Sequence, residues 1–188
     1  MKKVWITLGV LLLVGIMVFN WFQQGYNTVI TLDQQVKSSW AQVENQLQRR
    51  NDLIPNLVNT VKGFAAQEKS VLTEVTRLRS QWAEAKNINE KIDTANALSG
   101  ALSRLLLVSE NYPQLKSDQN FLALQSQLEG TENRIAVERM RYNQAVEGFN
   151  SYIRSLVGKF FASSAGLKEP AVYFKAAETA KQVPQVNF

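Results

Sequence analysis

The chain has 188 residues, 21 basic and 16 acidic, with no cysteine and no histidine. Without cysteine there is no disulfide framework, thiolate metal site, thiol nucleophile or lipidated cysteine, and without histidine the usual neutral-pH proton shuttle and commonest metal ligand are gone. Zinc sites, Ser-His-Asp triads and Glu-x-x-His di-iron sites are excluded, and only carboxylate chemistry survives. Lys2 and Lys3 account for part of the net charge of +5. The remaining charges are nearly balanced and interleaved, which argues against a nucleic-acid surface.

After Lys2 and Lys3, Val4 to Phe22 carries no formal charge. As a helix these residues span about 28 Å, close to the hydrocarbon thickness of a bilayer. Val4, Leu11, Leu12, Leu13 and Phe19 supply the apolar surface, while Trp5 at one end and Trp21 and Phe22 at the other suit the interfacial belts. A cleaved signal peptide would have a shorter apolar core and a small-x-small cleavage site, but the segment ends Val18-Phe19-Asn20-Trp21-Phe22. An uncleaved single-pass anchor over residues 1–25 is therefore expected. The next basic residue is Lys37, so the positive-inside rule puts Met1 in the cytoplasm and residues 26–188 outside.

Tyr26 to about Ala85 reads as one long helix. Val29, Leu32, Val36, Trp40, Val43, Leu47, Ile54, Leu57, Val61, Phe64, Leu72, Val75 and Trp82 recur at helical spacing on one stripe. Such a helix would be roughly 88 Å long. Pro55 is the local objection, because it lacks an N–H and its ring crowds the Asn51 carbonyl. The stripe stays in register across it, so a kinked continuous helix is expected, with Pro55 either a static kink or a hinge.

Asn87 to Asn89 reads as a turn. A second helix of about 20 residues follows, carrying Ile92, Ala95, Leu98, Leu102 and Leu105 and interrupted at Glu110-Asn111-Tyr112-Pro113. Asp118 is a candidate N-cap for a third helix of about 40 residues, with Phe121, Leu128, Ile135, Tyr142, Val146, Phe149, Ile153, Leu156 and Phe160 on its stripe. Pro170 to Lys181 suggests a short fourth helix, and Val183 to Phe188 an extended tail. The expected fold is all-α: a transmembrane helix followed by an elongated antiparallel up-and-down bundle of three long helices and a short C-terminal one.

Several charged residues fall on or beside the apolar stripes. Arg50 lies between Leu47 and Ile54, Glu68 before Leu72, and Glu132 and Arg139 flank Ile135. An inward arginine needs a carboxylate from another helix, so these four can form interhelical pairs that fix register. Asp52 belongs to the same dense polar cluster, Arg49-Arg50-Asn51-Asp52, whose plainest reading is a solvated face with local pairs. A carboxylate pair for acid–base work or cation binding is the competing chemistry, and no Asp-rich calcium loop supports it.

These residues also resemble the LemA family of bacterial membrane proteins over nearly the whole chain. The resemblance rests on Leu47-Gln48-Arg49-Arg50, Asp52-Leu53-Ile54-Pro55-Asn56-Leu57-Val58, Thr60-Val61-Lys62-Gly63, Glu68 and Arg79. It rests equally on Tyr112-Pro113-Gln114-Leu115-Lys116, Thr131-Glu132-Asn133-Arg134-Ile135-Ala136, Arg139, Tyr142-Asn143 and Tyr173-Phe174. Gln67 stands where relatives often carry His, and Val157-Gly158 replaces a Pro after the third helix. The resemblance implies an anchor followed by a bundle of four-helix type, and it implies no activity.

The function expected from these readings is a non-enzymatic envelope scaffold or assembly module in the cell membrane. It has no catalytic residue, cofactor or metal. Its partners are the lipid bilayer, further copies of itself as a homo-oligomer and other membrane proteins. A ligand-binding extracytoplasmic sensor and a carboxylate-dependent hydrolase using Glu68 and Glu132 are the alternatives.

Overall fold

The computed structural model describes residues 2–175, apart from the side chains of Lys2 and Val4. Six helices make up the described chain: α1 (Lys2–Phe64), α2 (Lys69–Glu84), α3 (Ile88–Ser109), α4 (Pro113–Lys116), α5 (Gln119–Arg154) and α6 (Leu156–Ser164). There is no strand among the described residues.

The apolar segment expected as an anchor and the helix expected after it are one element, since α1 runs through residues 25 and 26 without interruption. Trp5, Leu11, Leu12, Leu13, Phe19, Trp21 and Phe22 are all exposed on it, although Trp21 and Phe22 also pack against rings of α6. This is the one described helix long and apolar enough to cross a membrane.

The single helix expected to reach Ala85 is instead two. Beyond Phe64 the chain turns through Ala65–Glu68, closed by Glu68 N–H donating to the Ala65 carbonyl at 3.1 Å. Phe64 is therefore not a stripe residue. It is 40% exposed, and Ala65 occupies the core position. The break has a hydrophobic cause: folding back lets Leu72, Val75 and Leu78 of α2 bury against Ile54, Leu57 and Val61 of α1. An uninterrupted helix would leave both sets seeking other cover.

Pro55 does sit inside α1. Its missing N–H leaves the Asn51 carbonyl without the donor that residue i+4 normally supplies. Arg79 on α2 replaces it, its Nε donating to that carbonyl at 3.1 Å.

Two compact units result, and α1 and α5 each contribute a segment to both. One comprises the chain up to Trp40 with Tyr142–Ala171; the other comprises Ala41–Arg141 and the chain from Val172. In the second, α1, α2, α3 and α5 alternate in direction as an up-and-down four-helix arrangement. Leu98, Ala101, Leu102 and Leu105 of α3, with Phe121 and Leu128 of α5, complete its core. Asn87 caps α3 by accepting from Glu90 N–H at 2.9 Å, and Asp118 caps α5 by accepting from Phe121 N–H at 2.9 Å.

In the first unit α5 runs back along α1. Trp40 meets Tyr142 with ring centroids 5.4 Å apart, and Tyr152 Oη donates to the Gly25 carbonyl at 3.3 Å. The third helix does not continue to Phe160. It stops at Arg154, where Ser155 turns to extended backbone and caps α6 by accepting from Gly158 N–H at 3.0 Å. Gly158 is required there, because any side chain would overlap the Tyr152 carbonyl. Leu156 and Phe160, expected on the buried stripe, are 92% and 54% exposed as a consequence.

The expected helix from Pro170 is not formed in its described part, since Pro170–Lys175 is non-helical. Asn150 explains this: its amide accepts from Ala171 N–H at 2.8 Å and donates to the Ala171 carbonyl at 2.9 Å. Both backbone groups of Ala171 are thereby taken from helical use. The rest of that expected helix and the tail at 183–188 lie outside the described residues.

Candidate functional site

The largest fully buried side chain is Arg50, only 1% exposed. Its position on the α1 stripe forces it inward, and burying an unpaired guanidinium is prohibitive. Nη1 donates to Glu132 Oε1 on α5 at 2.9 Å and to Ser99 Oγ on α3 at 2.8 Å, and Nη2 donates to the Ala95 carbonyl at 3.1 Å. Ser99 Oγ itself donates to the Ala95 carbonyl at 3.0 Å, which points its lone pairs at the arginine. One guanidinium thus joins three helices. Its Nε is buried without a partner.

Arg139 lies one heptad beyond Glu132 on α5. Burial pushes its guanidinium below the ordinary arginine range; the Glu132 carboxylate opposes that shift and the Arg50 charge adds to it. Arg139 also lies over the Phe174 ring, 4.2 Å from its centroid. That cation–π contact holds the chain after α6 against α5. Three of the five polar residues singled out in the sequence are therefore neighbours: Arg50, Glu132 and Arg139.

Glu68 and Asp52 have other surroundings. Glu68 closes the turn before α2 and accepts from Tyr112 Oη at 3.2 Å. Burial, reinforced by the hydrogen bond and charge of Glu68, raises the Tyr112 phenol above its usual range. Asp52 is exposed and accepts from Gln48 on its own helix at 2.8 Å.

Periodicity could not identify Ser99 or the Ala95 carbonyl, because a serine at a helical position and a backbone oxygen carry no pattern. The Glu44–Lys91 ion pair between α1 and α3 was also hidden, although Lys91 lies 5.3 Å over the Trp82 ring. Beside the arginine cluster, Ser99, Ser103, Leu102, Leu128, Glu132 and Asn133 line an open groove of about 340 Å³. No group of three or more acidic residues that could hold a metal ion exists among the described residues.

Glu132 is held by Arg50 and Glu68 by Tyr112, so each carboxylate has a separate partner. What the fold and its polar centre define is an all-helical protein whose N-terminal helix is long and apolar enough to cross a membrane, and whose buried arginine ties three helices together. The chain belongs to the LemA family, which matches residues 39–188. Among similar curated proteins are magnetosome proteins MamQ 1 and MamQ 2 of Paramagnetospirillum magneticum. Each is 28% identical over 190 residues, covering 86% of this chain and 70% of the relative. Magnetosome protein MamQ of Magnetospirillum gryphiswaldense is 25% identical over 189 residues, with the same coverage.

Proposed function

We propose that this protein is a non-enzymatic, membrane-anchored assembly module of the cell envelope, with its N-terminus cytoplasmic and its helical bundle outside. One observation carries the reading: among the described residues the charged groups at the helix stripes are taken up in structural pairs between helices, Arg50 with Glu132 and Glu68 with Tyr112. The relatives' names, which assign them to the magnetosome, agree with a role in a larger cellular assembly.

Self-association has a candidate surface on the Ala41–Arg141 unit. Leu107 and Leu122 are 67% and 48% exposed and flank a groove of about 560 Å³ that Leu106 also lines. Val137 and Met140 add further exposed apolar area on α5. A second copy would remove this surface from water. The test is the mass of the full chain in nanodiscs and mild detergent across a concentration series. An oligomer that Leu107→Glu with Leu122→Glu converts to a monomer is expected, and a monomer at every concentration would sink the self-assembling form.

A further inference from the structure

We infer that α6 is a second membrane-contact element, an interfacial helix that lies in the outer headgroup layer and holds an anionic phospholipid; the inference rests on α1 being embedded in a bilayer. The evidence is where α6 docks. Phe161 is fully buried, its ring 5.0 Å from Trp21 and 5.6 Å from Phe22 by centroid, and Phe160 lies 6.4 Å from Phe22. Trp21 and Phe22 close the uncharged apolar run, at the level where aromatic residues mark the membrane–water boundary. Gly25 makes the docking possible, since a Cβ there would overlap the Phe161 ring. The helix is therefore held at the depth where the chain leaves the bilayer.

Its outer face has the composition for that depth. Leu156, one turn before Phe160, is 92% exposed, and Val157 between them is 45% exposed. Three large apolar side chains on a nine-residue helix would be costly in water, and they continue the apolar surface of the anchor. Arg154, Lys159 and Lys168 line a cavity of about 450 Å³ beside this face, with Ser163 adding a hydroxyl and Ile153 and Pro170 forming its apolar wall. No acidic residue lines it, although Glu169 follows Lys168 in sequence. Three cations around an apolar-walled cavity, bordering surface that enters acyl chains, match a phosphate whose diacylglycerol continues into the membrane.

Because the chain has no cysteine, single labels are clean. Leu156→Cys, Phe160→Cys, Leu12→Cys and the bundle control Arg134→Cys would each carry a nitroxide on the full chain, in nanodiscs of phosphatidylcholine and phosphatidylglycerol. Labels at 156 and 160 are expected to collide with oxygen in preference to a water-soluble nickel chelate, as at 12 and opposite to 134. A water-like result at 156 and 160 with a lipid-like one at 12 overturns the inference alone; a water-like result at 12 overturns the anchored reading beneath it. Dipolar broadening between labels at 156 would place a second copy on this face and also overturn it. Lipid retained through purification reads the cavity. Combining Arg154→Gln, Lys159→Gln and Lys168→Gln should lower the phosphatidylglycerol-to-phosphatidylcholine ratio by at least about fivefold, the scale set by basic residues near an anionic surface. An unchanged ratio, or stripping of the phosphatidylglycerol by inorganic phosphate, would remove the lipid assignment.

Discussion

Pro55 leaves the Asn51 carbonyl without its donor and Arg79 supplies one, so the two residues should be energetically coupled. Arg79→Met is expected to cost about 1.5–3 kcal/mol, the scale of a lost charged hydrogen bond. In a Pro55→Ala background the helix regains its own N–H, and most of that cost should disappear. A double-mutant cycle by urea unfolding in detergent reads the coupling directly, and strict additivity would refute it. The Arg50–Glu132 pair should behave asymmetrically, because the arginine is 1% exposed and the carboxylate 42%. Glu132→Ala strands a buried cation and should cost about 3 kcal/mol or more, whereas Arg50→Met leaves a carboxylate that water can reach and should cost clearly less. Tyr142 sets an alkaline limit. Burial pushes its phenol up to about 12, so the unfolded chain ionises first as pH rises. Its contribution is complete below about pH 10 and is lost between about 10 and 12, on the order of 2 kcal/mol. Tyr142→Phe should flatten stability over that window, and the slope that remains includes the smaller, same-signed contribution of Tyr112.

Among the elements, α6 depends on two small residues. Ser155→Ala removes the acceptor for Gly158 N–H and should destabilise the helix start by about 1 kcal/mol. Gly158→Ala should be worse, because the added carbon meets backbone rather than a movable side chain. Melting temperatures in one detergent would rank the two, and a milder effect for Gly158→Ala would contradict the close approach. This boundary also shows what a sequence reader can and cannot see. The stripes of α1, α3 and α5 were legible because apolar spacing alone dictates them, and Asp118 was legible as a polar residue at a helix start, whereas Asn87 reads only as part of a turn although it caps α3. The end of α5 was not, because Leu156 and Phe160 keep the helical spacing while facing outward; only Ser155 with Gly158 three residues later hinted at a new start. The Ala65–Glu68 turn was hidden for the same reason, as Leu72 and Val75 sit in register with Val61 whether or not the chain reverses between them. Arg50 could be placed inward by its register with Leu47 and Ile54, yet Ser99 could not be assigned to it without the packing of α3.

For the whole molecule, the association proposed for the Leu107–Leu122 groove and the lipid contact proposed for α6 belong to different units and can be separated experimentally. Leu107→Glu with Leu122→Glu should change the mass in nanodiscs and leave a nitroxide at position 156 in lipid. Glutamine at Arg154, Lys159 and Lys168 should alter lipid retention and leave the mass unchanged. The arginine junction carries a further consequence, for biogenesis. Arg50 is made early, but its carboxylate partner lies 82 residues later in the chain and its serine partner 49 residues later. Until α5 has been synthesised, α1 presents a cation in the middle of an apolar stripe without its carboxylate partner. Assembly of this bundle must therefore wait until α5 has been made as far as Glu132, and a chain truncated before Glu132 should remain protease-sensitive along α1 however long it is incubated.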